Sequence, residues 1–322
     1  MSVERIGKAA FREFTTEDGG LIKAEKIHYA PRAPEEARRQ YPPEIEGTIN
    51  AREVFVGVGA RVGKDTVITG KNGPADMVLL GDFSIIGDRV KVIVPEFRLG
   101  DYSKLYAEHC HGKKPLQIGR NCWFGGGVVL DSMGGLTIAD GCGFGAHTHV
   151  WTHIQFGDLV QGCNWYSSKP LHIPEDVWFV GECKVYSPAV IQARSMAFEG
   201  TIIRREMLNN HIYAGEHAID ITDRAGTQFA DWTASQKSEK MNQIIKDFYV
   251  EHPEHSGKLV VVESEAMFPD DLSLTAFAIS QRTYTKRYNK AEVEFLRATV
   301  PLVKFAPAGE PPFINPPQGV AR

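Results

Sequence analysis

The apolar positions of this chain repeat in sixes. From Ile118 the sequence reads IGRNCW, FGGGVV, LDSMGG, then, after a two-residue slip at Leu136 and Thr137, IADGCG and FGAHTH, with Val150 opening the next six. Ile118, Phe124, Leu130, Ile138, Phe144 and Val150 lead these hexads, a Gly, Ala or Asp usually follows the lead, and Cys122, Val128, Cys142 and Thr148 hold the fifth place. A period of six is neither the 3.6 of an amphipathic helix nor the 2.0 of a half-buried strand. It predicts a parallel β-helix in which three short strands make one triangular coil. Coils then stack at the strand-pairing distance of ~4.8 Å. The lead residue fills the prism, and a small residue after it eases the corner.

The same register extends in both directions. It starts at Val56 (VGVGAR, VGKDTV), resumes at Leu80 (LGDFSI, IGDRVK) and resumes again at Leu99 (LGDYSK). Coil starts at 80, 99, 118 and 138 are 19, 19 and 20 residues apart. Residues 71–78 and 108–115 read as loops leaving the prism, and the longest excursion runs from about Ile154 to Leu171. Re-entry at Ile173 gives IPEDVW, FVGECK, VYSPAV, IQARSM, AFEGTI and Ile203, and the run from Arg204 ends the prism.

The flanks have other periods. Residues 1–50 carry no hexads; a short helix over 33–40, closed by Pro42-Pro43, marks a cap segment over the open end of the prism. In residues 226–322, Met241, Ile244, Ile245 and Phe248 predict an amphipathic helix over about 235–249. Residues 258–263 and 274–280 read as strands, Asn289 as the N-cap of a helix through Arg297, and 302–305 as a further strand. The Pro-rich tail 309–322 is expected to be extended. The expected fold is therefore mainly β: a parallel β-helix over 51–225 with a C-terminal small α+β domain.

Composition narrows the class. The chain has 322 residues and a formal net charge of −4, which argues against a general nucleic-acid binder. No apolar run reaches the ~20 residues needed to span a bilayer. The charged start, MSVERIGKAAFREF, lacks the apolar core of a signal peptide. Cys122, Cys142 and Cys183 fall on small inward positions, so the five cysteines read as buried residues of a reducing, cytoplasmic compartment.

Residues 118–220 resemble the hexapeptide-repeat acyltransferases, which implies that the parallel β-helix is left-handed. The likeness is carried by VWTH (150–153), KPLHIPEDVW (169–178) and GTIIRREMLNNHIYAG (200–215). It implies an acetyl-CoA-dependent enzyme acting on a sugar-like acceptor, usually a homotrimer whose grooves lie between subunits, with no metal expected. Gln155 stands where many relatives carry a second histidine, and His217 where they usually carry Pro.

Acyl transfer from a thioester needs a base, donors for the oxyanion and a surface for a pantetheine arm. Six of the eleven histidines fall between His109 and His172. Hexad counting puts His147 and His153 at the fourth place and His149 at the sixth, all pointing outward. His153 is the first choice for the base, then His149, then His147, with Asp158 or Glu182 as candidates to orient the ring. By the resemblance Trp178, Gly200, Arg204, Arg205, Ala214 and Gly215 are candidates for holding CoA. The bland readings are solvated histidines, Trp123, Trp151, Trp165 and Trp178 packing between coils, corner relief at Gly125–Gly127, and a solvated Arg204-Arg205 pair. Two other functions fit the fold. One is a metalloenzyme like the γ-class carbonic anhydrases, with His147, His149 and His153 as ligands; the other is a non-catalytic assembly module.

Overall fold

The computed structural model describes residues 11–314. The expectations for the first ten residues and for the tail beyond 314 lie outside the described residues.

Three stacks of short parallel strands form a prism. The first face holds Val67–Thr69, Lys91–Ile93, His109–His111, Val129–Asp131, His149–Trp151, Lys184–Tyr186 and Ile202–Ile203. The second holds Ala75–Leu80, Glu96–Leu99, Leu116–Ile118, Leu136–Ile138 and Leu171–Ile173. The third runs from Glu44–Ile45 through Trp123–Phe124, Gly143–Phe144 and Trp178–Phe179 to Ile212–Ala214. The predicted register is observed: Leu80 pairs with Leu99, Leu99 with Ile118, Ile118 with Ile138 and Ile138 with Ile173. Ile118, Phe124, Leu130, Ile138, Phe144, Val150, Ile173, Phe179 and Val185 are fully buried and Ile191 nearly so.

The glycine after each lead residue has a different cause from the one expected. Its φ is ordinary. A Cβ added at Gly100 would lie 2.4 Å from the carbonyl carbon of Gly119 in the next coil, so the constraint is the approach of stacked backbones. The left-handed conformation falls two residues later, on Phe83, Tyr102 and Asn121 at φ 56°, 58° and 55°.

The prism is longer than the hexads indicate. Leu21–Ala24 and Lys26–Tyr29 already pair in parallel with the long strand Thr48–Val56, so the repeat does not begin at Val56. At the other end the run from Arg204 closes the prism, where Met207 bridges Ile191 and Ile212–Ala214 pairs with Met196–Ala197. Two expected loops are partly strand. Ala75–Leu80 is paired on both sides, and His109–His111 is a regular rung reached in five residues from Leu105 instead of six.

The C-terminal elements match the expected helices Ala234–Glu251 and Lys290–Thr299 and the strands Leu259–Val262 and Thr275–Ala278. Thr233 and Gln236 form a capping box on the first helix, and Asn289 caps the second. The strand expected at 302–305 is instead Ala306–Pro307, paired with Thr283–Tyr284. The core of this unit is shared with the prism: Phe248, Phe277, Phe295 and Leu296 pack in one cluster with Val58, Phe83 and Tyr102.

A charged seam completes the junction. The third residue of successive hexads at the corner between the second and third faces is Asp82, Asp101, Arg120 and Asp140. Lys286 Nζ lies 2.6 Å from Asp82 Oδ2 and 2.9 Å from Asp101 Oδ2, and Arg120 Nη2 lies 3.0 Å from Glu310 Oε2. Arg282 holds both oxygens of the buried Asp176, one at 3.1 Å. Burial alone would lower the Lys286 ammonium, but Asp101 and Asp82 outweigh it and hold its pKa well above the ordinary lysine range. Among the described residues no helix is long and apolar enough to cross a membrane.

Candidate active site

The first face ends at the corner from which the chain leaves for its longest excursion. There Asp131 is fully buried. Its Oδ1 accepts hydrogen bonds from Thr152 N at 2.8 Å and Thr152 Oγ1 at 2.6 Å, and it stands 2.9 Å from His153 Nδ1. Coil stacking makes this contact. Leu130 pairs with Val150, so the residue after Leu130 lies under the residues just after Val150. An ionised carboxylate can only accept, so in a hydrogen bond to it His153 Nδ1 is the donor. The ring is about one-quarter exposed, with a side-chain exposure of 23%.

A second imidazole faces the other oxygen. His111 Nε2 is 3.2 Å from Asp131 Oδ2, at ion-pair distance but without hydrogen-bond alignment. Burial holds His109 and His111 below the ordinary histidine pKa range, although Asp131 partly offsets this at His111. Trp151 makes edge contacts with His111, His149 and His153 at centroid distances of 6.4, 6.2 and 6.4 Å. One outward register thus climbs the face as His111, Asp131, Trp151, Tyr186 and Arg204, with Arg204 seated over the Tyr186 ring at 5.4 Å.

The three predicted histidines do not share one environment. His153 faces Asp131, His149 lies beyond Trp151, and His147 is exposed at the next corner with φ 59°. His147 and His149 line a shallow depression with Glu182, Lys184, Gly200 and Ile202. Gly200 has φ 73° and nothing within 4 Å of a Cβ placed on it, so its backbone is bare. Arg204 and Arg205 are exposed above this face. Trp178, Ala214 and Gly215 belong to the third face and its end, and this chain does not bring them to the histidines. Trp178 lies over Gly143, whose missing side chain leaves the room.

Neither expected orienting acid touches His153. Asp158 sits in the excursion, where its Oδ1 accepts from Val160 N and Gln161 N, and Glu182 lines the depression. The excursion is a two-stranded antiparallel arm, His153–Gln155 against Tyr166–Ser168. Its apolar side chains are bare: Phe156 is 101% exposed, Val160 91% and Trp165 76%.

No family model matches the sequence, and no curated protein does. Solved structures do align with the chain. The polySia-specific acetyltransferase NeuO matches at 16% identity and a TM-score of 0.39, over 71% of this chain and 99% of that one. A point mutant of AntD, an N-acyltransferase from Bacillus cereus in complex with dTDP and coenzyme A, matches at 15% and 0.32, over 56% and 90%. A hexapeptide-repeat acetyltransferase from Vibrio cholerae O1 biovar eltor, complexed with acetyl coenzyme A, matches at 14% and 0.26, over 59% and 78%.

Proposed function

We propose that this protein is an acyltransferase that moves an acetyl or other short acyl group from acyl-CoA to a hydroxyl or amine of a sugar-like acceptor. The observation that carries the reading is the pairing of His153 with the buried Asp131 at the foot of the arm. That pairing fixes the ring and leaves Nε2 to take the acceptor's proton. Asp131 stabilises the imidazolium that results, and the proton can then pass to the departing thiolate.

The surroundings suit a long anionic co-substrate. The bare backbone at Gly200 admits close approach, Lys184 and Arg204 supply cations on the outer side of the first face, and the exposed Arg205 follows them. Lys184 and Arg204 flank Tyr186, which makes the first face aromatic and positive above the histidines. The sugar-like acceptor is the class implied by the sequence resemblance.

A homotrimer is part of the proposal. The candidate residues sort onto two faces of one prism, with the histidines on the first and Trp178, Ala214 and Gly215 on the third. Closed threefold symmetry would set the third face of one copy beside the first face of the next and cover the apolar arm. Five unpaired cysteines accord with a cytoplasmic location.

The test is a screen of acetyl-CoA turnover over nucleotide-sugars, free sugars and aminoglycosides, with CoA affinity measured by calorimetry. An acceptor should be found, and His153→Ala should lower its turnover by ~10²–10⁴-fold with CoA affinity unchanged. Failure of the wild-type protein to bind CoA would sink the reading.

A further inference from the structure

A second constellation lies in the C-terminal unit. The helix Ala234–Glu251 stops at His252, and Pro253–His255 follow as one tight 3-10 turn. Proline cannot donate to the helical ladder, so the chain turns there and both histidines of the His-Pro-Glu-His run face back. Their rings stack on Phe248, at centroid distances of 4.5 Å for His252 and 6.0 Å for His255. Glu294 reaches them from the helix Lys290–Thr299. Its Oε2 lies 2.6 Å from His255 Nε2 and 3.8 Å from His252 Nδ1. Glu254 Oε1 is 3.8 Å from each of the same two ring nitrogens.

We propose that His252, Glu254 and Glu294 bind a divalent transition-metal cation, zinc before others, and that His255 orients Glu294 for it. One donor atom from each of the three ligands already lies within 4.8 Å of the other two. Bonds of ~2.0–2.2 Å to a tetrahedral ion would draw these atoms somewhat closer, and the exposed Glu254 is free to make that adjustment. An imidazole beside two carboxylates favours zinc over magnesium or calcium, which prefer all-oxygen sites. Three protein ligands leave a position for water.

The surroundings are built rather than solvated. His255 is 5% exposed, and its bond to Glu294 is the outer-sphere contact that fixes a ligating carboxylate. Lys290 Nζ, 3.6 Å from Glu294 Oε1, occupies the oxygen that turns away from the histidines. It also reduces the local negative charge, which moderates affinity. A bound ion would fasten the end of one helix, at His252, to Glu294 of the other. No metal is expected here from the sequence pattern, and this site stands apart from the acyl-transfer reading.

The test uses the untagged full-length protein freed of metal by chelator. Calorimetry with zinc chloride should give one saturable equivalent and a raised melting temperature, with magnesium chloride giving neither. His252→Ala and Glu254→Gln, both at solvent-accessible positions, should each weaken zinc binding more than about tenfold, and His255→Gln by ~10–100-fold. His211→Ala, on the prism, should leave zinc binding as it is. Absence of saturable zinc binding to the wild-type protein, or zinc binding kept at full strength in His252→Ala or Glu254→Gln, overturns the proposal.

Discussion

Asp131 Oδ1 lies 2.9 Å from His153 Nδ1, although 22 residues separate the two in sequence. Asp131→Asn would keep a carbonyl at the Oδ1 position, which serves both Thr152 and His153, and would remove the negative charge that stabilises the imidazolium. Turnover should fall by ~10²–10⁴-fold, with CoA affinity and melting temperature close to wild type. Near-normal turnover in a folded Asp131→Asn variant would remove the dyad from the mechanism.

The seam between prism and C-terminal unit gives a stability prediction. Lys286 is buried between Asp82 and Asp101. Lys286→Met would leave the buried Asp82 without a cation and Asp101 with Arg120 alone at 3.9 Å, a loss expected to cost about 3–5 kcal/mol. Denaturant unfolding should show it as a lowered midpoint for the unit that contains Phe277 and Phe295.

Glu292 carries the pH prediction. It is fully buried, and burial pushes its carboxyl up to about 7 despite donors from Arg287 N, Tyr288 N and Thr275 Oγ1. A folded-state pKa above the unfolded value of 4.5 means the protonated form is favoured by folding. Its stabilising contribution is complete below about pH 4.5 and is lost as pH rises through about 7. Melting temperatures at pH 5 and pH 8 should therefore differ more in the wild type than in Glu292→Gln. Equal differences would show that Glu292 does not titrate in this range.

The arm predicts how the copies associate. Phe156→Ser with Trp165→Ser removes two bare apolar side chains that no described residue of this chain covers. If the arm packs on a second copy, light scattering should show the trimer dissociating at higher protein concentration in the double variant. Each chain should keep its melting behaviour when fully dissociated. A wild type that is monomeric at micromolar concentration would remove the trimer.

The prism was legible because its cause is local. Each lead residue, from Ile118 to Val185, is apolar for the same reason as the one six places earlier, and all are buried. Asp131 was hidden by the same regularity, since it occupies the place after a lead residue, where a small residue is expected. Only the stacking of Leu130 under Val150 gives it a partner. His111 was masked by a rung one residue short, which broke the count after Leu105 and made 108–115 look like a loop. The C-terminal helices were readable from the Met241–Phe248 spacing and from Asn289. Their contacts with Phe83 and Tyr102 were not, because no periodicity encodes a meeting across some 200 residues.

The acidic seam also bears on the order in which the molecule is made. Adjacent rungs are ~4.8 Å apart. That is well inside the ~8 Å over which physiological salt screens a charge. Within the prism, Arg120 lies 3.9 Å from both Asp101 and Asp140 and serves as their internal counter-ion. Among the described residues of the prism, Asp82 and Asp176 have no such neighbour. They meet theirs in Lys286 and Arg282, about 204 and 106 positions further along the chain. A ribosome delivers the rungs first and those two cations much later. Until they arrive, the finished coils hold two unmatched carboxylates, Asp82 and Asp176, each of which attracts a basic segment, so the seam selects its own cover during synthesis.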